Sequence, residues 1–174
     1  LQGVTHLIQE AHYKDDASNE AWVRQALGYE QGIDYTYLAP LSNASSDVKT
    51  LLDEGFMPEA ITHYLLALGN KTPKEIFTLE EAISWLDIRA LSTVPTEFDR
   101  NALCAINREH IQRLGDMELS KRIGYACENV GKLAKLYTQE CSTTHEIKQK
   151  IDAVFAKKEP FAKNKEESLR VQKL

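Results

Sequence analysis

No apolar run in the 174 residues approaches the length of about 20 that a membrane-spanning helix needs. No basic-then-apolar leader opens the chain, so no secretory or transit segment is expected. Cysteine is scarce: Cys104, Cys127 and Cys141 are odd in number and never fall in a C-x-x-C spacing. That excludes a disulfide framework and a zinc site, and favours a reducing, cytoplasmic compartment. There is no G-x-S-x-G beside Ser45 or Ser46, so both read as helix-capping residues rather than nucleophiles. No internal repeat or low-complexity tract appears beyond the basic tail.

What is present is an ordinary globular composition, 43% hydrophobic and 27% charged, carrying a strong charge asymmetry. Residues 1–99 hold 6 Lys/Arg and 16 Asp/Glu, net −10, whereas residues 100–174 hold 15 and 10, net +5. The second half could therefore attract a polyanion, although a solvated lysine-rich helical surface has the same composition.

Along the chain, Val4 to Ile8 and Tyr35 to Ala39 read as strands, and Ser18 to Leu27 between them as a helix ended by Gly28. A strand–helix–strand order suggests a remnant of a parallel α/β sheet, confined to the first 42 residues. From there the signals are helical. Ser46 or Asp47 can cap one helix, Pro58 opens the next, Thr78-Leu79-Glu80-Glu81 has the form of a capping box, and Asp99 caps a longer helix. Helices are predicted over 47–54, 58–68, 79–86, 99–114, 116–124, 127–139 and 144–156, followed by a charged tail. The fold expected is mainly α, with a small α/β piece in front.

The run Leu51-Leu52-Asp53-Glu54-Gly55-Phe56-Met57-Pro58-Glu59-Ala60-Ile61 resembles bacterial glutamyl-tRNA synthetase, a class I aminoacyl-tRNA synthetase. So do His63 to Asn70, Glu75 to Glu81, Phe98-Asp99 and Leu103 to Ile111, in order and without large gaps from 43 to about 156. Val4 to Ile8, Ala26 to Tyr29 and Tyr37 to Leu41 extend the likeness more thinly. Two departures stand out. Gln9-Glu10-Ala11-His12-Tyr13 replaces an arginine–glycine–glutamate–aspartate–histidine active-site segment. Leu41-Ser42 runs straight into Asn43-Ala44, where the family has a loop carrying the KMSKS signature, whose lysines stabilise charge on ATP phosphates. The HIGH nucleotide motif is missing as well.

The resemblance implies three regions. Residues 1–43 correspond to a remnant of a Rossmann-type catalytic domain, redesigned or degenerate. Residues 44–114 correspond to the stem-contact domain, and 115–174 to the start of the anticodon-binding helices. It implies a tRNA of the glutamate or glutamine species as partner, with no DNA and no membrane. ATP and magnesium are cofactors of the parent enzymes and not of this chain, which is expected to be inactive alone. A helical protein-interaction module, or one part of a split ligase completed in trans, are the alternatives.

No catalytic, cofactor-binding or metal-ligating residue is assigned. His12, His63, His110 and His145 are scattered with no i,i+4 pair, so satisfied histidines are expected rather than a metal site, and His63 stands where the family usually has Asn. Adjacent helical carboxylates such as Glu80-Glu81 and Asp15-Asp16 point apart and make no acid–base dyad. The three cysteines are expected to pack as small hydrophobes, and Trp22, Trp85, Tyr64 and Phe98 to anchor the core. Arg108, Arg113, Lys121, Arg122, Lys132 and Lys135 occupy helices that the resemblance turns towards the tRNA stem, where they would contact phosphates.

Overall fold

The extended stretch near the start pairs as a sequence rich in β-branched residues would, two positions later than the apolar run suggests. In the computed structural model, which describes residues 3–29, 32–44, 47–68 and 70–156, β1 (His6–Glu10) lies parallel to β2 (Asp34–Leu38), with His6 opposite Asp34 and Glu10 opposite Leu38. A parallel pair needs a crossover, and α1 (Asp16–Ala26) supplies it. The crossover buries none of its residues. Trp22 is 76% exposed and Leu27 69%, so Trp22 is not the core anchor its spacing suggests. Helical spacing defines an apolar face without supplying a surface to cover it, and two strands cover little. Tyr35, whose hydroxyl donates to Glu20 at 2.8 Å, is a polar tie between sheet and helix.

A second parallel pair joins β3 (Leu41–Ser42) to β4 (Thr96–Glu97), so strands are not confined to the first 42 residues. Two-residue strands carry no alternation by which a sequence could mark them. Directly after β3, Asn43 turns the chain with a φ of 58°, a conformation that Asn tolerates better than most residues.

The body is helical as expected, with eight α-helices in all among the described residues. Asp47 caps α2 (Val48–Asp53) by accepting from the Thr50 amide at 2.7 Å. Ser45, Ser46, Gly69 and the tail over 157–174 lie outside the described residues. Pro58 opens α3 (Pro58–Leu68), and Thr78 and Glu81 form the reciprocal capping box of α4 (Leu79–Ile83). Asp99 caps α5 (Arg100–Arg113) through the Asn101 and Ala102 amides. Then follow α6 (Asp116–Arg122), α7 (Glu128–Lys135) and α8 (Thr144–Phe155), the last with a Thr143–Glu146 capping box. α4 and α7 stop earlier than their periodicity suggests. In each, a hydroxyl bonds back to a helix carbonyl: Ser84 to Glu81 at 2.6 Å and Thr138 to Lys135 at 2.9 Å.

Two apolar clusters share α3 and α5. Leu51, Phe56, Ile61, Tyr64 and Leu103 make one, with Phe98 set edge-on to Tyr64. Met57, Ala60 and Ile111 join Leu119, Ile123, Ala134, Cys141, Ile147 and Ile151 in the other, which runs continuously across residue 114. Backbones approach closely at two glycines. A Cβ on Gly131 would sit 1.8 Å from the Asp116 carbonyl oxygen, and one on Gly55 would sit 2.5 Å from the His145 nitrogen. Gly55 also has a φ of 89°, so its place between α2 and α3 is closed to L side chains twice over.

The completely buried Asn107 links three segments. Its Oδ1 accepts from the Met57 amide at 2.8 Å, and its Nδ2 donates to the Ser142 carbonyl at 2.6 Å. Asn107→Ala strands both backbone groups, each at a cost of about 1–3 kcal/mol. Urea denaturation is expected to show a loss of roughly 2–4 kcal/mol for this variant, and a change within about 0.5 kcal/mol for Trp22→Ser. Equal effects of the two would contradict this packing scheme.

Candidate functional site

The six basic residues differ in what holds them. Arg108 is half-buried on α5, its Nη2 donating to Ser142 Oγ at 2.8 Å while its Nε is buried without a partner. Arg122 makes a two-pronged contact with Glu59, at 2.7 and 3.4 Å, and approaches Glu118 one turn earlier at 3.7 Å. Although burial pushes the other way, the Arg122 hydrogen bond holds the Glu59 carboxyl below its ordinary value, and Glu59 in turn raises Arg122. Lys132 pairs with Glu128 at 2.8 Å, and Lys135 donates to the Gln112 carbonyl at 2.6 Å. Arg113 and Lys121 remain exposed, with no ion pair or side-chain hydrogen bond among the described residues. Arg113 and Arg122 line a common cavity of about 270 Å³ between α3, α5 and α6. Lys121 sits apart in a shallow depression among Asp116, Glu118 and Glu128.

The structure gathers a pair that the sequence keeps 47 residues apart. His63, 3% exposed on α3, places Nδ1 at 2.9 Å from Nε2 of His110 on α5, with the rings nearly perpendicular at 84°. Phe77 lies 4.0 Å from the His63 ring, and half-buried Trp85 meets Phe77 edge-on. Burial lowers the pKa of both imidazoles. Each is lowered further by the Arg113 charge, and His63 also by His110, while the Glu75 backbone carbonyl opposes the shift at His63. The pair borders a cavity of about 390 Å³ walled by Leu66, Phe77 and Leu79, with Glu59 and Glu80 also in its lining. Both histidines occupy core-facing positions of their helices, and that was the available signal. Distance in sequence hid their contact.

Other titratable groups serve local structure. Glu81 is committed to the capping box and to Lys74 at 2.6 Å, and His12 meets Glu10 on the surface at 3.0 Å. Cys104 and Cys141 behave as packed thiols whose pKa burial raises. Cys127 is exposed, against expectation, because it stands just before α7 and its amide, not its thiol, faces inward to Ser120 Oγ. No three His, Cys, Asp or Glu side chains among the described residues gather as a metal cage, and no helix there is long and apolar enough to cross a membrane.

This arrangement has relatives, although no family model matches the chain. Two solved glutamate–tRNA ligase structures superpose on 94% of it, that of Elizabethkingia meningosepticum with a TM-score of 0.67 and that of Elizabethkingia anophelis with 0.69, each at 15% identity and over 40% and 41% of their own length. The fold is thus one found within an aminoacyl-tRNA ligase. Sequence relatives are more specific. Glutamate–tRNA ligase 1 of Campylobacter fetus is 44% identical over 91% of the chain, and glutamate–tRNA ligase 2 of a Sulfurovum species is 36% identical over its whole length. The chain is a homologue of part of the bacterial glutamate–tRNA ligases, spanning 38% and 43% of those two relatives.

The histidine pair generates a pH signature. Burial lowers the pKa of both rings in the native state, so the unfolded state binds more protons as pH drops. Their contribution is complete above the ordinary histidine value of about 6.5 and is lost as pH falls from there towards the lowered native values, by at most about 1.4 kcal/mol per pH unit for each ring. In metal-free buffer, His110→Gln is expected to flatten the dependence of the urea midpoint on pH between about 7 and 5. An unchanged slope would contradict the burial of a neutral pair.

Proposed function

We propose that the chain is a non-catalytic tRNA-contacting portion of a glutamate–tRNA ligase, reading the stem side of the molecule through its helical body. The observation that carries this is the continuous likeness to bacterial glutamate–tRNA ligases over nine-tenths of the chain. The absence of catalysis rests on Leu41-Ser42-Asn43-Ala44, where β3 passes directly into the helical body without a lysine-bearing loop. ATP and magnesium belong to the parent reaction, and no residue here is assigned to them. In this reading residues 1–43 derive from the catalytic domain, 44–114 from the stem-contact domain and 115–174 from the anticodon-binding helices, in a cytoplasmic protein.

Arg113 and Lys121 are the phosphate contacts that cost the fold least. Arg108, Arg122, Lys132 and Lys135 already bond to protein groups and would have to exchange partners. Labelled glutamate tRNA titrated at several salt concentrations tests this. Each phosphate neutralised contributes a log–log slope of roughly −0.7 to −0.9. Arg113→Glu with Lys121→Glu is expected to weaken binding and flatten the slope by about 1.5, with stability unchanged. Equal binding by this variant would remove these residues from the interface, and low-salt affinity no better than that of a charge-matched unrelated protein would remove tRNA as the partner.

A second reading draws on the uncovered α1 face. Trp22, Val23 and Leu27 are 76%, 59% and 69% exposed beside a sheet of only two strands, which favours completion by a catalytic module in trans. Charging activity that appears only when an ATP-site module is added, and disappears with Trp22→Lys, would support it over simple RNA binding.

A further inference from the structure

The cavity of about 390 Å³ between the starts of α3 and α4 suits one flat ring that carries hydrogen-bond donors. Leu66, Phe77 and Leu79 give it apolar walls, and the histidines at its border spend their facing nitrogens on each other. Two polar side chains in the lining are left with capacity. The Thr62 hydroxyl and the Glu80 carboxylate have no hydrogen bond or ion pair among the described residues, whereas Glu59 is held by Arg122. A second cavity, of about 270 Å³, shares Glu59, Phe77, Thr78 and His110 with the first and adds the exposed Arg113. The Arg113 charge is felt at His63, His110 and Glu81, so a cation stands beside the mouth. Apolar walls, one open carboxylate and one open guanidinium are therefore neighbours.

We propose that this cavity takes one unpaired guanosine of an RNA strand, the base against Leu66, Phe77 and Leu79, its Watson–Crick edge on Glu80 and its phosphate on Arg113. The inference rests on the RNA contact proposed above and specifies what in the RNA is read. Guanine carries two donors side by side, N1–H and the N2 amino group, and a carboxylate can accept both with its two oxygens. Adenine and cytosine set an acceptor nitrogen beside their amino group, and uracil sets carbonyls on both sides of its N–H, so each turns a lone pair towards Glu80. Thr62 is the hydroxyl available to donate to the guanine O6. Extruded bases are read in this way, by hydrogen bonds to that edge and apolar packing on the ring. In a stem the same edge is occupied by cytosine, so the guanosine comes from a loop or bulge adjoining the stem. The strand's phosphate meets Arg113, while the Glu59 charge is offset by Arg122 and that of Glu80 by the two base donors.

The test is fluorescence anisotropy of the full chain with labelled oligouridine strands carrying one central guanosine, inosine or adenosine. Inosine keeps N1–H and O6 but lacks the N2 amino group, so it isolates one of the two donors. The guanosine strand is expected to bind roughly tenfold more tightly than the inosine strand, and Glu80→Gln to bring that ratio to about one. Glu80 is exposed and lies outside the Thr78–Glu81 capping box, so its replacement leaves the helix cap in place. Arg113→Gln is expected to weaken all the strands alike and to leave the ratio unchanged. On the unaltered chain, the guanosine strand is expected to shift the amide signals of Thr62, Leu66, Phe77 and Leu79 before any others. Guanosine 5′-monophosphate separates the sources of the ligand, and is expected to bind far more weakly than the strand because it lacks the flanking phosphates. Equal affinity for the free nucleotide would overturn the RNA assignment. A guanosine-to-inosine ratio of one, a ratio unaltered by Glu80→Gln, or shifts centred elsewhere would overturn the pocket. Salt-dependent binding of glutamate tRNA that persists beside such a result leaves the RNA contact standing, so the two failures are told apart.

Discussion

Two hydrogen bonds from one buried amide, that of Asn107, hold the helical body in register. One reaches the backbone just ahead of α3 and the other the backbone just ahead of α8, so the middle of α5 fixes where two other helices begin. A buried amide is costly unless its oxygen and nitrogen find partners, and here both do. Hydrophobic contact alone would let α3 and α8 slide over α5. The fork admits one alignment, which Thr144 reinforces by donating to the Gly55 carbonyl through its amide and through its hydroxyl, each at 3.0 Å. The His63–His110 contact and the Glu59–Arg122 pair both bridge from α3 to a helix later in the chain.

The same packing limits what the basic half can offer to RNA. Formal charge over 100–174 is +5, but over 100–156 it is only +2, and most of the cations there are already paired or donate to carbonyls. An ion pair such as Lys132–Glu128 is exposed and weakly held, so phosphate can compete for it. Arg122 is different, because its two-pronged contact with Glu59 ties α6 to α3. Binding, on this account, draws on few contacts and is correspondingly weak, with a shallow dependence on salt.

Local chemistry made the helical body legible in advance. Asp47, Thr78, Asp99 and Thr143 each carry a side-chain oxygen that satisfies an orphan amide, and each marks a helix start in the structure. Features that depend on long-range placement were not legible. Trp22 has the spacing of a core residue but no surface to cover it. Cys127 lies at a helix boundary, where apolar periodicity says nothing about which way a thiol faces. His63 and His110 read as isolated because nothing in a single sequence reports a contact across 47 residues. The basic residues were identified correctly as helical, but their carboxylate and carbonyl partners come from other turns and other elements, which charge counting cannot see.

Hydroxyl-radical footprinting of glutamate tRNA tests the central claim most directly, because it reports where the chain lies as well as whether it binds. Protection confined to the backbone along the stem on the inner side of the molecule, fading as salt rises, is the result predicted for a non-catalytic contact module. Uniform cleavage at a protein concentration that saturates binding, or protection restricted to the acceptor end where the chemistry of charging takes place, would contradict it.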